Sequence, residues 1–140
     1  MSPWYWSFLT IFFYAFCVLA IIVLTVVCVK RKGNRNRVIK SLIFADVFAV
    51  AAMTLFNASH ANYYKYNDWA ILGKDIHIIE QKYGEFDIGS VKEEKSGDVG
   101  YFIYKDNGPI MPDHLDHYYY MQYDENGIVQ KVHDGVQPGG

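Results

Sequence analysis

Between Phe8 and Val29 lie 22 consecutive uncharged residues, FLTIFFYAFCVLAIIVLTVVCV, and Lys30, Arg31 and Lys32 follow at once. As a helix rising ~1.5 Å per residue this stretch covers about 33 Å, against a hydrocarbon core of about 30 Å. Buried helices of water-soluble proteins seldom stay apolar on every face over such a length, so the sequence predicts a membrane span. Trp4, Tyr5 and Trp6 precede it as an interfacial aromatic cluster. The charges give it a direction. Six cations, Lys30, Arg31, Lys32, Arg35, Arg37 and Lys40, fall within residues 30–40 without an acid, and none precedes Lys30. Such a cluster stays in the cytoplasm, so the N-terminus is expected outside. A signal peptide would carry its positive charge before a shorter apolar run, which argues against cleavage here.

Gly33 and Asn34 supply a turn, after which Val38 to Ala58 reads as a second apolar helix. Lys40 snorkels to the basic side, leaving Asp46 as the one serious offence, roughly 3 kcal/mol at a helix centre. The apolar side chains around it offset that cost. Ala45, Ala49 and Ala52 offer a small-residue face for the first helix, so an antiparallel transmembrane hairpin is expected over residues 1–59, with spans at about 8–29 and 38–58 and a cytoplasmic loop at 30–37. Tyr63, Tyr64, Tyr66 and Trp69 then form a second aromatic cluster beside the first. The competing reading makes 31–40 an internal n-region and 42–56 an h-region, with cleavage after Ser59-His60-Ala61.

Cys17 and Cys28 both lie in the first span, about 16 Å apart along a helix, so they cannot pair and read as small buried hydrophobes. Tyr14, Ala15 and Phe16 before Cys17 do not form a lipoprotein cleavage site. From His60 onward seven lysines face fourteen carboxylates, a net of −7 with histidine neutral. That balance excludes nucleic acid as a partner of this part, because phosphate binding needs a basic footprint.

Residues 60–140 read as a small α+β domain, one helix on a three- to four-stranded antiparallel sheet. Asp75 is placed to cap a helix in which Ile76, Ile79 and Tyr83 recur on one face, and Gly84 to end it. Strands are expected at Ile88 to Glu94, Val99 to Lys105, His117 to Tyr123 and Ile128 to His133. Lys95 to Asp98 is a turn, Asn126-Gly127 signals a hairpin, and Val136 to Gly140 is a tail.

The run Ile71-Leu72-Gly73-Lys74, through Ile79 to Tyr83-Gly84-Glu85-Phe86-Asp87, resembles the BamE/SmpA/OmlA lipoprotein family and the related β-lactamase inhibitor protein fold. There an apolar-Gly-x-Ser/Thr entry, a short helix and Leu-Gly-x-Pro-Asp precede an antiparallel sheet that ends in an Asp-x-Asn-Gly hairpin. Here Asp75 replaces the Ser/Thr cap, Phe86 stands at the usual proline, and no lipobox is present. The resemblance spans about 65 residues and implies a module that docks on other envelope proteins; it carries over no functional residue. The whole chain is also similar to small membrane proteins of Gram-positive bacteria, which supply no activity to transfer.

Three side-chain groups compete for a role. Asn107 to Tyr120, NGPIMPDHLDHYYY, sets Ile110 and Met111 between two prolines and leads into Tyr118, Tyr119 and Tyr120, whose rings must occupy both faces of a strand. Exposed aromatics of this kind mark protein interfaces, so Ile110, Met111, His114, His117 and Tyr118 to Tyr120 form the expected partner site. The alternative is a metal-dependent enzyme or factor, in which Asp113, His114, Asp116 and His117 at three-residue spacing hold Zn²⁺. A third reading gives Asp46 a role in proton or ion transport, against the plainer one that it hydrogen-bonds Thr25 or Ser41 or seals an oligomer. Glu93-Glu94 and Asp124-Glu125 are sequence neighbours that point apart, and no phosphate loop or nucleophile elbow is present. The expectation is therefore a multi-pass cell-membrane protein with its C-terminal domain outside the cytoplasm. It would need no catalysis and no cofactor, with the lipid bilayer and another membrane or envelope protein as partners and a homo-oligomer formed through the helices.

Overall fold

A computed structural model describes residues 3–30, 36–107 and 113–137, with side chains over 5–27, 39–107 and 113–137. The expectations for Ile110, Met111 and the basic turn at Arg31, Lys32 and Arg35 fall outside the described residues, as do the side chains of Lys30 and Arg37. The chain is α+β and divides into two compact units, Trp4–Ala58 and Ser59–Gly140, the latter with Met1–Pro3.

In the first unit α1 runs over Pro3–Lys30 and α2 over Asn36–Ser59. Pro3 occupies the first turn, where its missing N–H costs nothing, and no later proline or glycine interrupts either helix. Both are long and apolar enough to cross a membrane, over Tyr5–Val27 and Ile39–Ser59. Phe12, Phe16, Phe44 and Phe48 are each about two-thirds exposed or more, an arrangement that water penalises and lipid does not. Trp6 packs on Phe56 at 5.3 Å between ring centroids, and the Tyr14 hydroxyl lies 3.0 Å from Thr54 Oγ1, so the helices run antiparallel. Of the expected alanine face Ala49 is half-buried, while Ala45 and Ala52 are exposed. Thr25 gives its hydroxyl to the Ile21 carbonyl at 2.8 Å. Asp46 faces buried Cys17, and its Oδ2 has no hydrogen-bond partner among the described residues.

The second unit opens with a helix absent from the sequence reading, α3 over Asp68–Ile71, where the Asn67 side chain accepts from Ala70 N–H. Four residues are too few to show a periodicity. α4 covers Ile76–Tyr83 with Asp75 as its N-cap, accepting from His77 N–H at 2.8 Å, and Gly84 ends it at φ 98°. The sheet has three strands in the order β1-β2-β3, all antiparallel: Gly97–Lys105, Asp116–Tyr123 and Val129–Val136. The strand expected at Ile88 to Glu94 is not one. Gly89 at φ 78° and Glu94 at φ 55° break extension, and only Ile88 survives, as a single bridge to Gly100. β3 also runs past the expected end to Val136.

The Asn126-Gly127 hairpin closes as a three-residue loop. Gly127 N–H bonds the Asp124 carbonyl at 2.9 Å, Gly127 takes φ 76°, and the Asp124 carboxylate accepts from Asn126 and Ile128 N–H. These amides, Ile128 first, hold the Asp124 carboxyl below the usual carboxylate range. Its far side receives the start of α4 through Ile76 N–H to the Gly127 carbonyl at 2.8 Å, while Gly73 and Lys74 exchange hydrogen bonds with Val129.

The core lies on one face of the sheet. Tyr66, Ile71, Ile76, Val99, Tyr119, Met121, Tyr123 and Val129 are essentially inaccessible, each a burial of roughly 1.5–3 kcal/mol by apolar area. Tyr66 is its hub, stacked on Tyr101 at 5.5 Å and packed on Tyr119 at 4.5 Å and Tyr83 at 5.3 Å.

Candidate functional site

Alternation along β2 divides the predicted tyrosine triplet. Tyr119 points inward opposite Tyr101, with Met121 and Tyr123 on the same side, whereas Tyr118 and Tyr120 point to the other face. Tyr119 is therefore a correction to the expected partner site. It is fully buried, and its hydroxyl donates to Asp68 Oδ1 at 2.7 Å while Asp68 Oδ2 accepts from Asn62 N–H at 3.1 Å. Burial first, and the Asp68 carboxylate second, push its phenol far above the ordinary range. Tyr101 is pushed up to about 12 by burial, and its hydroxyl donates to the Gly84 carbonyl at 2.6 Å. Groups so displaced keep their protons at neutral pH and serve as hydrogen-bond donors.

On the opposite face four rings make a row. Phe102 meets Tyr118 edge-on at 5.7 Å, Tyr118 meets Tyr120 at 5.9 Å, and Tyr120 stacks on His133 at 5.4 Å and 19°. Two glycines make the row fit. A Cβ at Gly100 would stand 2.8 Å from Ile88 Cγ2 and 3.2 Å from the Tyr120 ring, and one at Gly135 would stand 3.4 Å from that ring. Phe102 is 42% exposed, Tyr118 and Tyr120 are half-buried, and His133 is exposed. The Tyr120 hydroxyl is enclosed and has no hydrogen-bond partner among the described residues. Neither Phe102 nor His133 was in the predicted site; their register positions opposite Tyr118 and Tyr120 were the missing signal.

Of the histidine and aspartate residues expected to hold a metal, Asp113 and His117 meet, while His114 and Asp116 take other partners. His114, at φ 60°, sets Nδ1 3.2 Å from Asn107 Oδ1, while His117 Nε2 lies 3.1 Å from Asp113 Oδ2 and its ring stacks on Tyr104 at 4.4 Å. Asp116 faces Lys105 at 3.8 Å. The Leu115 N–H, followed by His117, holds the Asp113 carboxyl below its usual range. Among the described residues no three His, Cys, Asp or Glu side chains group as metal ligands. The bulge at Ile103 turns Tyr104 to the inner side, where it meets His117.

An open groove of about 410 Å³ beside α4 is lined by His77, Glu80, Glu85, Phe86 and neighbouring residues, none of them predicted for the site. No protein-family model, curated protein or solved structure matches the chain.

Proposed function

We infer that the protein is a membrane-anchored binding module, without catalysis, whose C-terminal domain stands outside the cytoplasm and engages a protein or envelope component through the outer face of its sheet. One observation carries the reading. The row Phe102–Tyr118–Tyr120–His133 lies on the face turned away from the core, with Phe102 and His133 exposed at its ends and Tyr118 and Tyr120 half-buried between them. Aromatic rings bring large contact area at small cost in side-chain freedom, the property that concentrates them at interfaces.

The anchor rests on the two apolar helices and the orientation on the six cations at 30–40. The order capped helix, Gly84, antiparallel sheet and Asp124-Glu125-Asn126-Gly127 turn is that implied by the BamE-like resemblance, which supports docking on an envelope protein. Two experiments test this function. Lys95→Cys should react with a membrane-impermeant thiol reagent in intact cells; reaction only after lysis places the domain in the cytoplasm. A photo-crosslinking amino acid at Phe102 should give discrete protein adducts in native membranes, and at exposed Ile78 of α4 none. Equal labelling from both positions would count against the outer face.

A further inference from the structure

β1 and β3 are the outer strands of the sheet, and the chain treats their edges differently. Along β1, Gly100 exchanges backbone hydrogen bonds with Ile88 at 2.9 and 3.1 Å, and Phe102 N–H is taken by Asp87 Oδ2 at 2.7 Å. Along β3 closure stops at the first residue, where Val129 bonds Gly73 and Lys74 at 2.8 and 2.9 Å. Because Gly100 turns away from β2, the antiparallel alternation gives Tyr119 and Met121 to β1, and leaves Tyr118, Tyr120 and Gln122 to bond their opposites Gly135, His133 and Lys131 on β3. Val132, Asp134 and Val136 consequently turn their N–H and C=O groups outward, where no described residue meets them.

The side chains of these three residues share the core-side face, opposite Met121, Tyr119 and His117. Val132 packs against the core, while Asp134 and Val136 are exposed. Asp134 is in none of the ion pairs among the described residues. The open edge thus reads apolar, acidic, apolar at alternate positions, on a segment of net charge −7. A second copy fits it poorly. The two-fold antiparallel register that uses all three outward residues sets Asp134 against its own copy, and like charges directly opposite are unfavourable. A cation opposite Asp134 removes that conflict.

We propose that this edge takes up an extended segment of a partner protein as a fourth strand, with apolar, basic and apolar side chains opposite Val132, Asp134 and Val136. Main-chain hydrogen bonds supply the affinity and the alternate side chains the selectivity. The edge is a different surface from the aromatic row, so the two readings stand or fall separately.

The test uses the full chain in detergent micelles and two capped, fluorescently labelled heptapeptides, TVTKTVT and TVTETVT, read by anisotropy. The lysine peptide should bind saturably and about tenfold or more tighter than the glutamate peptide, the gap narrowing with salt. Asp134→Lys, at an exposed position, should reverse the order. Val136→Pro removes an outward N–H that the β2–β3 ladder does not use and should weaken the lysine peptide to the level of the other. Equal binding of the two peptides, no saturable binding of either, or an order unmoved by Asp134→Lys would overturn the proposal.

Discussion

The two faces of the sheet carry the same amino acid and use it in opposite ways. On the core side Tyr66, Tyr101, Tyr119 and Tyr123 are at most 4% exposed, and three of their hydroxyls are bonded, to the Gly84 carbonyl, to Asp68 and to Lys92 N–H. On the other side Tyr118 and Tyr120 lie in a row that ends in exposed Phe102 and His133. Tyrosine composition therefore says nothing by itself about a binding surface. What separates the two sets is strand parity, together with the helices that cover one face.

The comparison breaks most visibly when the same truncation is made on each side. Tyr119→Ala should cost about 3–5 kcal/mol by urea unfolding, the usual range for deleting a buried ring. Tyr118→Ala should cost well under half of that. Similar losses would mean that both faces are core.

A smaller change isolates the polar part. Tyr119→Phe keeps the ring but leaves Asp68 Oδ1 without its donor at 2.7 Å, which should cost about 1–3 kcal/mol. Tyr118→Phe is expected to leave the midpoint unchanged.

pH sharpens the contrast further. Burial raises the folded-state phenol of Tyr101 to about 12 from an ordinary 10.0. A group raised in this way gives its full stability below the unfolded value and loses it as pH rises toward the folded one. The urea midpoint should hold up to about pH 9.5 and then fall through pH 10 to 12, with Tyr101→Phe flattening the slope. A fall that begins near neutrality would contradict the burial of this face.

Much of this was legible in the chain. The uncharged run to Val29 and the apolar run to Ala58 are long enough that one secondary structure satisfies them, and they became α1 and α2. Asp75 and Gly84 marked α4 because a cap and a left-handed end each demand a particular side chain. Strand alternation set Tyr119 apart from Tyr118 and Tyr120, but parity does not say which side is core. That depends on where α3, α4 and the 59–67 segment pack, a long-range matter. The bulges at Ile103 and Gln130 shift the register by one residue and leave no local signal. Ile88 to Glu94 looked like a strand by composition, yet Asp87 and Ile88 serve to close the β1 edge.

The most direct test of the division of labour is one paired measurement on Phe102→Asp in the full chain: thermal midpoint, and yield of adducts from a photo-crosslinker at Tyr118 in native membranes. Phe102 is 42% exposed, so the midpoint should fall far less than for Tyr119→Ala, by roughly 4–8 °C, while the adducts disappear. Unchanged adducts, or a midpoint lowered as far as by Tyr119→Ala, would contradict the account.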